Sequence, residues 1–74
     1  MSKVNFKVTV DGKEYDCYTI REGKRVFTQT IYVEGYGFEA DEKQYGNGRQ
    51  YRDLYLMQYE ALIIAKRIIR SKTE

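Results

Sequence analysis

The chain has no histidine, no proline and only one cysteine in 74 residues. Each shortage excludes something. Without histidine, and with Ser2 and Ser71 lying at the chain ends, acid–base and nucleophilic catalysis have little to work with. Cys17 falls in a central strand on the core side, where a thiol behaves as a small hydrophobe, so no catalytic residue is expected and the chain is read as non-enzymatic. A lone cysteine also forms no internal disulfide, which makes a reducing cytoplasm its simplest home. The longest wholly apolar run is Ala61 to Ala65, far short of a membrane span, and the first residues lack a basic-then-apolar signal pattern. Neither secretion nor a membrane is expected.

The remainder has ordinary globular proportions. Charged residues make up 32% and the net charge is +2, so the chain is read as one domain, residues 1–74, with a core near the lower limit of independent stability. Charge is unevenly distributed. Residues 1–48 carry seven Lys/Arg against eight Asp/Glu, whereas residues 49–74 carry six against three. The basic part is the C-terminal segment.

That segment reads as a long helix over about residues 48–71. Asn47 followed by Gln50 fits a capping box, and Arg67, Arg70 and Lys72 suit the negative pole of the helix dipole. At about 100° per residue, Leu54, Met57, Ala61, Ile64, Ala65 and Ile68 form one apolar stripe. Tyr51, Tyr55, Leu62 and Ile69 widen it to about half the circumference, with Tyr59 at its border. Opposite lie Arg49, Arg52, Asp53, Glu60, Arg67 and Arg70, and among these charges sit Leu56 and Ile63 at heptad spacing.

Before the helix, residues 4–10 alternate cleanly as a half-buried strand. Asp11-Gly12 is a strong two-residue hairpin signal that pairs Val10 with Lys13, Val8 with Tyr15, Phe6 with Cys17 and Val4 with Thr19, and sets Lys7 against Asp16. A second strand follows over about 13–20 and a third over about 24–33. Closing them with Arg21-Glu22-Gly23 as a bulged loop puts Phe27, Ile31 and Val33 on the core face, with Phe27 beside Cys17 and Gln29 facing inward near the sheet edge. Tyr18, Ile20, Val26, Thr28, Thr30 and Tyr32 then form an outer face apolar enough to interest a partner. Residues 34–48 contain four glycines, three aromatics and four acids, and read as a long loop with room for a short fourth strand around Tyr36 to Ala40. The expected fold is α+β, a three-stranded antiparallel meander covered on one face by the C-terminal helix.

Glu39, Asp41 and Glu42 lack calcium-loop spacing and read as a solvated acidic loop, so no metal or cofactor is expected. Gly35-Tyr36-Gly37-Phe38 resembles the aromatic core of the base-stacking motif of RNA-recognition and cold-shock domains. Glu34 stands where that motif has Lys or Arg, Glu39 where it has a β-branched residue, and Asp41 where it has an aromatic. The competing reading is a glycine turn that folds both aromatics onto the core. Three antiparallel strands followed by a helix also resemble, in topology alone, part of double-stranded RNA-binding domains and integrase arm-binding domains. The motif resemblance implies base contacts by Tyr36 and Phe38. The basic helix adds cations that can neutralise phosphates, Arg49 and Lys66 with Arg52, Arg67, Arg70 and Lys72. Tyr36, Phe38, Arg49 and Lys66 are thus the expected nucleic-acid contacts.

The favoured function is non-catalytic binding by a small accessory or inhibitor protein, of phage or mobile-element type, that occupies a surface on a protein or nucleoprotein machine. Its expected contact residues are Leu56, Tyr59 and Ile63 with Arg52, Arg67 and Arg70, an apolar seam within an arginine rim. Direct nucleic-acid binding is the alternative, and a structural homodimer joined through the helix is the third.

Overall fold

The computed structural model describes residues 2–73. Four strands run in chain order, β1 (Ser2–Val10), β2 (Lys13–Glu22), β3 (Phe27–Val33) and β4 (Gly37–Tyr45), followed by α1 (Tyr51–Thr73). They form one antiparallel sheet of order β1-β2-β3-β4 with α1 on one face, an α+β fold. The 23-residue helix spans about 34 Å at about 1.5 Å per residue, close to the 37 Å long axis of the molecule.

The first hairpin follows directly from its residues. Asp11 (φ 52°) and Gly12 (φ 81°) both take positive φ, as a type I′ turn requires, and every expected pair from Val4↔Thr19 to Val10↔Lys13 is present. Lys7 stands between Glu14 (3.2 Å) and Asp16 (3.6 Å) on the exposed side.

The second turn corrects the sequence reading. The chain leaves β2 at Glu22 and β3 begins only at Phe27, so the loop is Gly23–Val26. Gly23 has φ 125°, and a Cβ there would lie 1.9 Å from the Val26 carbonyl oxygen, so the loop closes on itself where only glycine fits. Both loops leave Phe27, Ile31 and Val33 on the same sheet face, which is why alternation could not separate them. The longer loop slides β3 so that Val33, not Phe27, lies opposite Cys17. Phe27 sits at the far end against Tyr45, with its ring under Gly48, where an added Cβ would approach it to 2.8 Å.

The expected loop at 34–48 is largely a nine-residue fourth strand. Glu34-Gly35-Tyr36 makes a tight turn with positive φ at Gly35 and Gly37, and Phe38 to Asp41 then pair with Tyr32 to Gln29. The short strand allowed for around Tyr36 to Ala40 is the start of it. The acidic residues hid its full length because only one of its faces is buried and that face is polar. Asp41 and Tyr45 point inward, while Glu42 and Gln44 are exposed. A bulge between Phe27 and Gln29 absorbs the extra β4 residues. With β4 in place, Gln29 is on an interior strand and not at the edge.

The helix starts at Tyr51. Asn47 does not cap it. Its side-chain oxygen accepts from the Arg49 N–H at 3.0 Å, an Asx turn, while the Gln50 carbonyl accepts the first helical bond from Leu54. Ala61, Ile64, Ala65, Ile68 and Ile69 are buried against Val8, Val10, Cys17, Ile31 and Val33, and Met57, equally buried, lies outside that cluster with its carbonyl bonded to Gln29. The expected apolar half is too wide at its beginning. Tyr51, Leu54 and Tyr55 are 86%, 41% and 59% exposed, although Leu54 lies on the sheet side of the wheel. The first turn of the helix therefore projects beyond the sheet, which meets α1 from Met57 onward.

Candidate interaction site

The interface between helix and sheet has two halves. One is apolar, as described. The other, under the first half of α1, is a buried polar cluster centred on Gln29. The Gln29 carboxamide oxygen accepts from Thr19 Oγ1 at 3.0 Å and from Arg21 Nε at 3.3 Å. Its nitrogen donates to Asp41 Oδ2 at 3.0 Å and to the Met57 carbonyl at 2.8 Å. Arg21 Nη2 reaches Gln58 Oε1 at 3.2 Å, and the Tyr45 hydroxyl donates to Asp41 Oδ2 at 2.6 Å. A dipolar amide thus sits between a buried cation and a buried carboxylate and anchors a helix carbonyl to the sheet. Every buried side-chain nitrogen and oxygen among the described residues has a partner. Complete pairing is what makes buried charge tolerable, and its directionality sets how the helix lies on the sheet. Asp41 is therefore a structural residue rather than part of a solvated loop. Glu39 is half-buried and paired with Arg67, and Glu42 alone of the three acids remains simple surface.

Burial moves the protonation of this interior. It pulls the Arg21 guanidinium below its ordinary value, and burial together with the Asp41 hydrogen bond holds the Tyr45 phenol well above 10.0. Burial, aided by the neighbouring Asp16 carboxylate, pushes the Cys17 thiol from 9.0 up to about 11. A raised folded-state value means that the unfolded chain releases its proton first. Stability from Cys17 is thus fully present below about pH 9 and falls between about 9 and 11, by at most about 1.4 kcal/mol per pH unit. Urea titrations across that window should show a steeper decline for the parent than for Cys17→Ala. Parallel curves would mean that the thiol is not held protonated by the fold.

The structure unites the residues expected on the helix seam. Tyr59, Ile63, Arg52 and Arg70 are exposed on the side of α1 away from the sheet, and Leu56 is half-buried beside them. Arg67 lies at the edge of this group, drawn to Glu39 of β4. Tyr51 and Tyr55, which the sequence reading assigned to the core half, belong here too. Tyr51, Tyr55, Tyr59 and Ile63 follow at intervals of four, and the Tyr55 and Tyr59 rings stack at 6.2 Å. The available signal was the phenol itself, which needs water or a partner and so suits the border of an apolar face better than its centre.

The expected nucleic-acid set is not brought together. Tyr36 is half-buried, packed edge-on against Tyr15 at 5.3 Å and against the core. Phe38, 68% exposed, is on the opposite face of the sheet. Arg49 lies in the loop before α1, near Phe27 and Gly23, and Lys66 on the outward side of the helix. The glycine turn thus folds one aromatic onto the core and leaves the other outside. On that outer face Tyr18, Tyr32 and Phe38 stack across three strands at 4.6 and 5.4 Å, with Lys3 4.5 Å from the Tyr18 ring centre. The middle ring has both faces covered by its neighbours, so the stack does not offer three free platforms for bases.

No described helix is long and apolar enough to cross a membrane, and no group of His, Cys, Asp or Glu among the described residues is arranged to hold a metal ion. No protein-family model matches the chain, and no curated protein or solved structure matches it.

Proposed function

We propose that this is a non-catalytic binding protein, an accessory or inhibitor that docks through the outward side of α1 onto a protein or nucleoprotein partner. One observation carries the reading. Of the seven large hydrophobic side chains left exposed among the described residues, five, Tyr51, Leu54, Tyr55, Tyr59 and Ile63, are on this helix, and the other two, Val26 and Phe38, lie apart in a loop and on β4. Four of the five make a continuous strip, flanked by Arg52 and Arg70. Single exposed apolar residues need no explanation, but an ordered strip of tyrosines beside arginines has the composition of interface hot spots. Covering one such side chain is worth about 1.5–3 kcal/mol relative to leaving it in water.

The test is capture from a lysate by the immobilised chain, with and without nuclease, using the parent and Tyr59→Ser with Ile63→Ser. Both residues are exposed, so circular dichroism and the urea midpoint should stay near those of the parent. Capture should fall by at least about tenfold, the scale of a lost hot spot. Undiminished capture by a folded variant would remove the helix face from the function, and capture lost on nuclease treatment would turn the reading to nucleic acid.

A further inference from the structure

The outward face of α1 is one-signed as well as apolar. At about 100° per residue, an arc of about 160° from Tyr51 round to Arg67 contains no Asp or Glu anywhere between Tyr51 and Thr73. It does contain Arg52, Lys66 and Arg70 beside the tyrosine strip. The two acids of the helix are on the flank towards β4, where Asp53 is half-buried and Glu60 is paired with Lys43. Near the C-terminal end, Ile63, Lys66, Arg67, Arg70 and Ser71 line a depression of about 470 Å³.

This arrangement discriminates between occupants. A second copy of the helix, laid antiparallel, would set Arg52 against Lys66 and Arg70, and laid parallel would set each cation beside its twin. Like charges facing across an interface oppose association either way. Phosphates would satisfy the cations but would leave Ile63, in the middle of the strip, with nothing apolar to cover it. An amphipathic segment with apolar side chains at helical spacing and carboxylates along its flanks satisfies both features. We infer that the partner element docking on this face is an acidic amphipathic helix of another protein, its apolar side chains seated on Tyr55, Tyr59 and Ile63 and its carboxylates meeting Arg52, Lys66 and Arg70. This rests on the docking face proposed above and adds the chemistry of what it takes.

The experiment selects binders from a displayed library of random peptides of about 16 residues, long enough for about four helical turns, on the immobilised chain. The expected result is recovered peptides rich in Asp and Glu with apolar residues three and four apart. Their affinity should fall at least about tenfold for Lys66→Glu with Arg70→Glu, and should weaken as salt rises from about 0.05 to about 0.5 M. Lys66→Gln with Arg70→Gln keeps the measurement readable should the reversal variant fold poorly. Neutral or basic peptides that need Tyr59 and Ile63 but ignore the charge variants would overturn the inference and leave the docking face standing. Peptides indifferent to Tyr59→Ser with Ile63→Ser, or no peptides at all, would overturn both. Strip-dependent binding of a labelled DNA oligonucleotide, or strip-dependent self-association in sedimentation, would replace the acidic helix with nucleic acid or a second copy.

Discussion

Gln29→Leu should destabilise the protein by about 3–5 kcal/mol, a large share of the about 5–15 kcal/mol that a domain of this kind has in total. The side chains are similar in size, so the loss comes from polarity and not from volume. Leucine removes the acceptor used by Thr19 and Arg21 and the donor used by Asp41 and the Met57 carbonyl. The buried guanidinium would keep only Gln58, and the buried carboxylate only Tyr45 and the Lys43 N–H. Each charge thus loses one of its partners at once, and every buried bond lost in this way costs about 1–3 kcal/mol. The helix would also lose the bond that fixes its position on the sheet. Urea unfolding of the parent and variant measures the difference. A loss below about 1 kcal/mol would show that water enters the interface and replaces the amide.

Ile31→Ala should cost about 2–5 kcal/mol, because Ile31 is wholly buried at the centre of the apolar half and the rigid sheet beneath it cannot collapse to fill the space. Its neighbour Thr30 faces the other side of the sheet, and Thr30→Ala should change stability by no more than about 1 kcal/mol. The pair tests the alternation of β3 by one measurement on each face. Comparable losses would place Ile31 outside the core and undo the observed register, in which it stands opposite Thr19 and Glu39.

Local chemistry was sufficient for the first hairpin and for the body of the helix. Asp11-Gly12 admits essentially one turn, alternation from Val4 to Val10 admits one face, and together they determine each β1–β2 pair. The apolar spacing from Met57 to Ile69 likewise determines the buried side of α1, since 3.6 residues per turn leaves no other side for it. The face that β3 turns to the core was also legible, because strand parity survives a loop of different length. Tertiary structure decided the rest. Whether β2 stops at about Ile20 and turns through Arg21-Glu22-Gly23, or runs on to Glu22 and reverses through residues 23–26, depends on where β3 finds partners on both sides, and one of those partners is β4. The start of β4 was legible as room for a short strand around Tyr36 to Ala40. Its continuation to Tyr45 was hidden because its inward residues, Asp41 and Tyr45, are polar or amphipathic and become core only once Gln29 and Arg21 lie within hydrogen-bonding distance. The binding strip was legible in part. Tyr59, Ile63 and the arginines follow from the wheel, whereas Tyr55 lies on the border of the apolar half and Tyr51 joins the strip because the sheet does not reach the first turn of α1. A helical wheel records the direction in which a side chain points, and burial also requires something there to meet it.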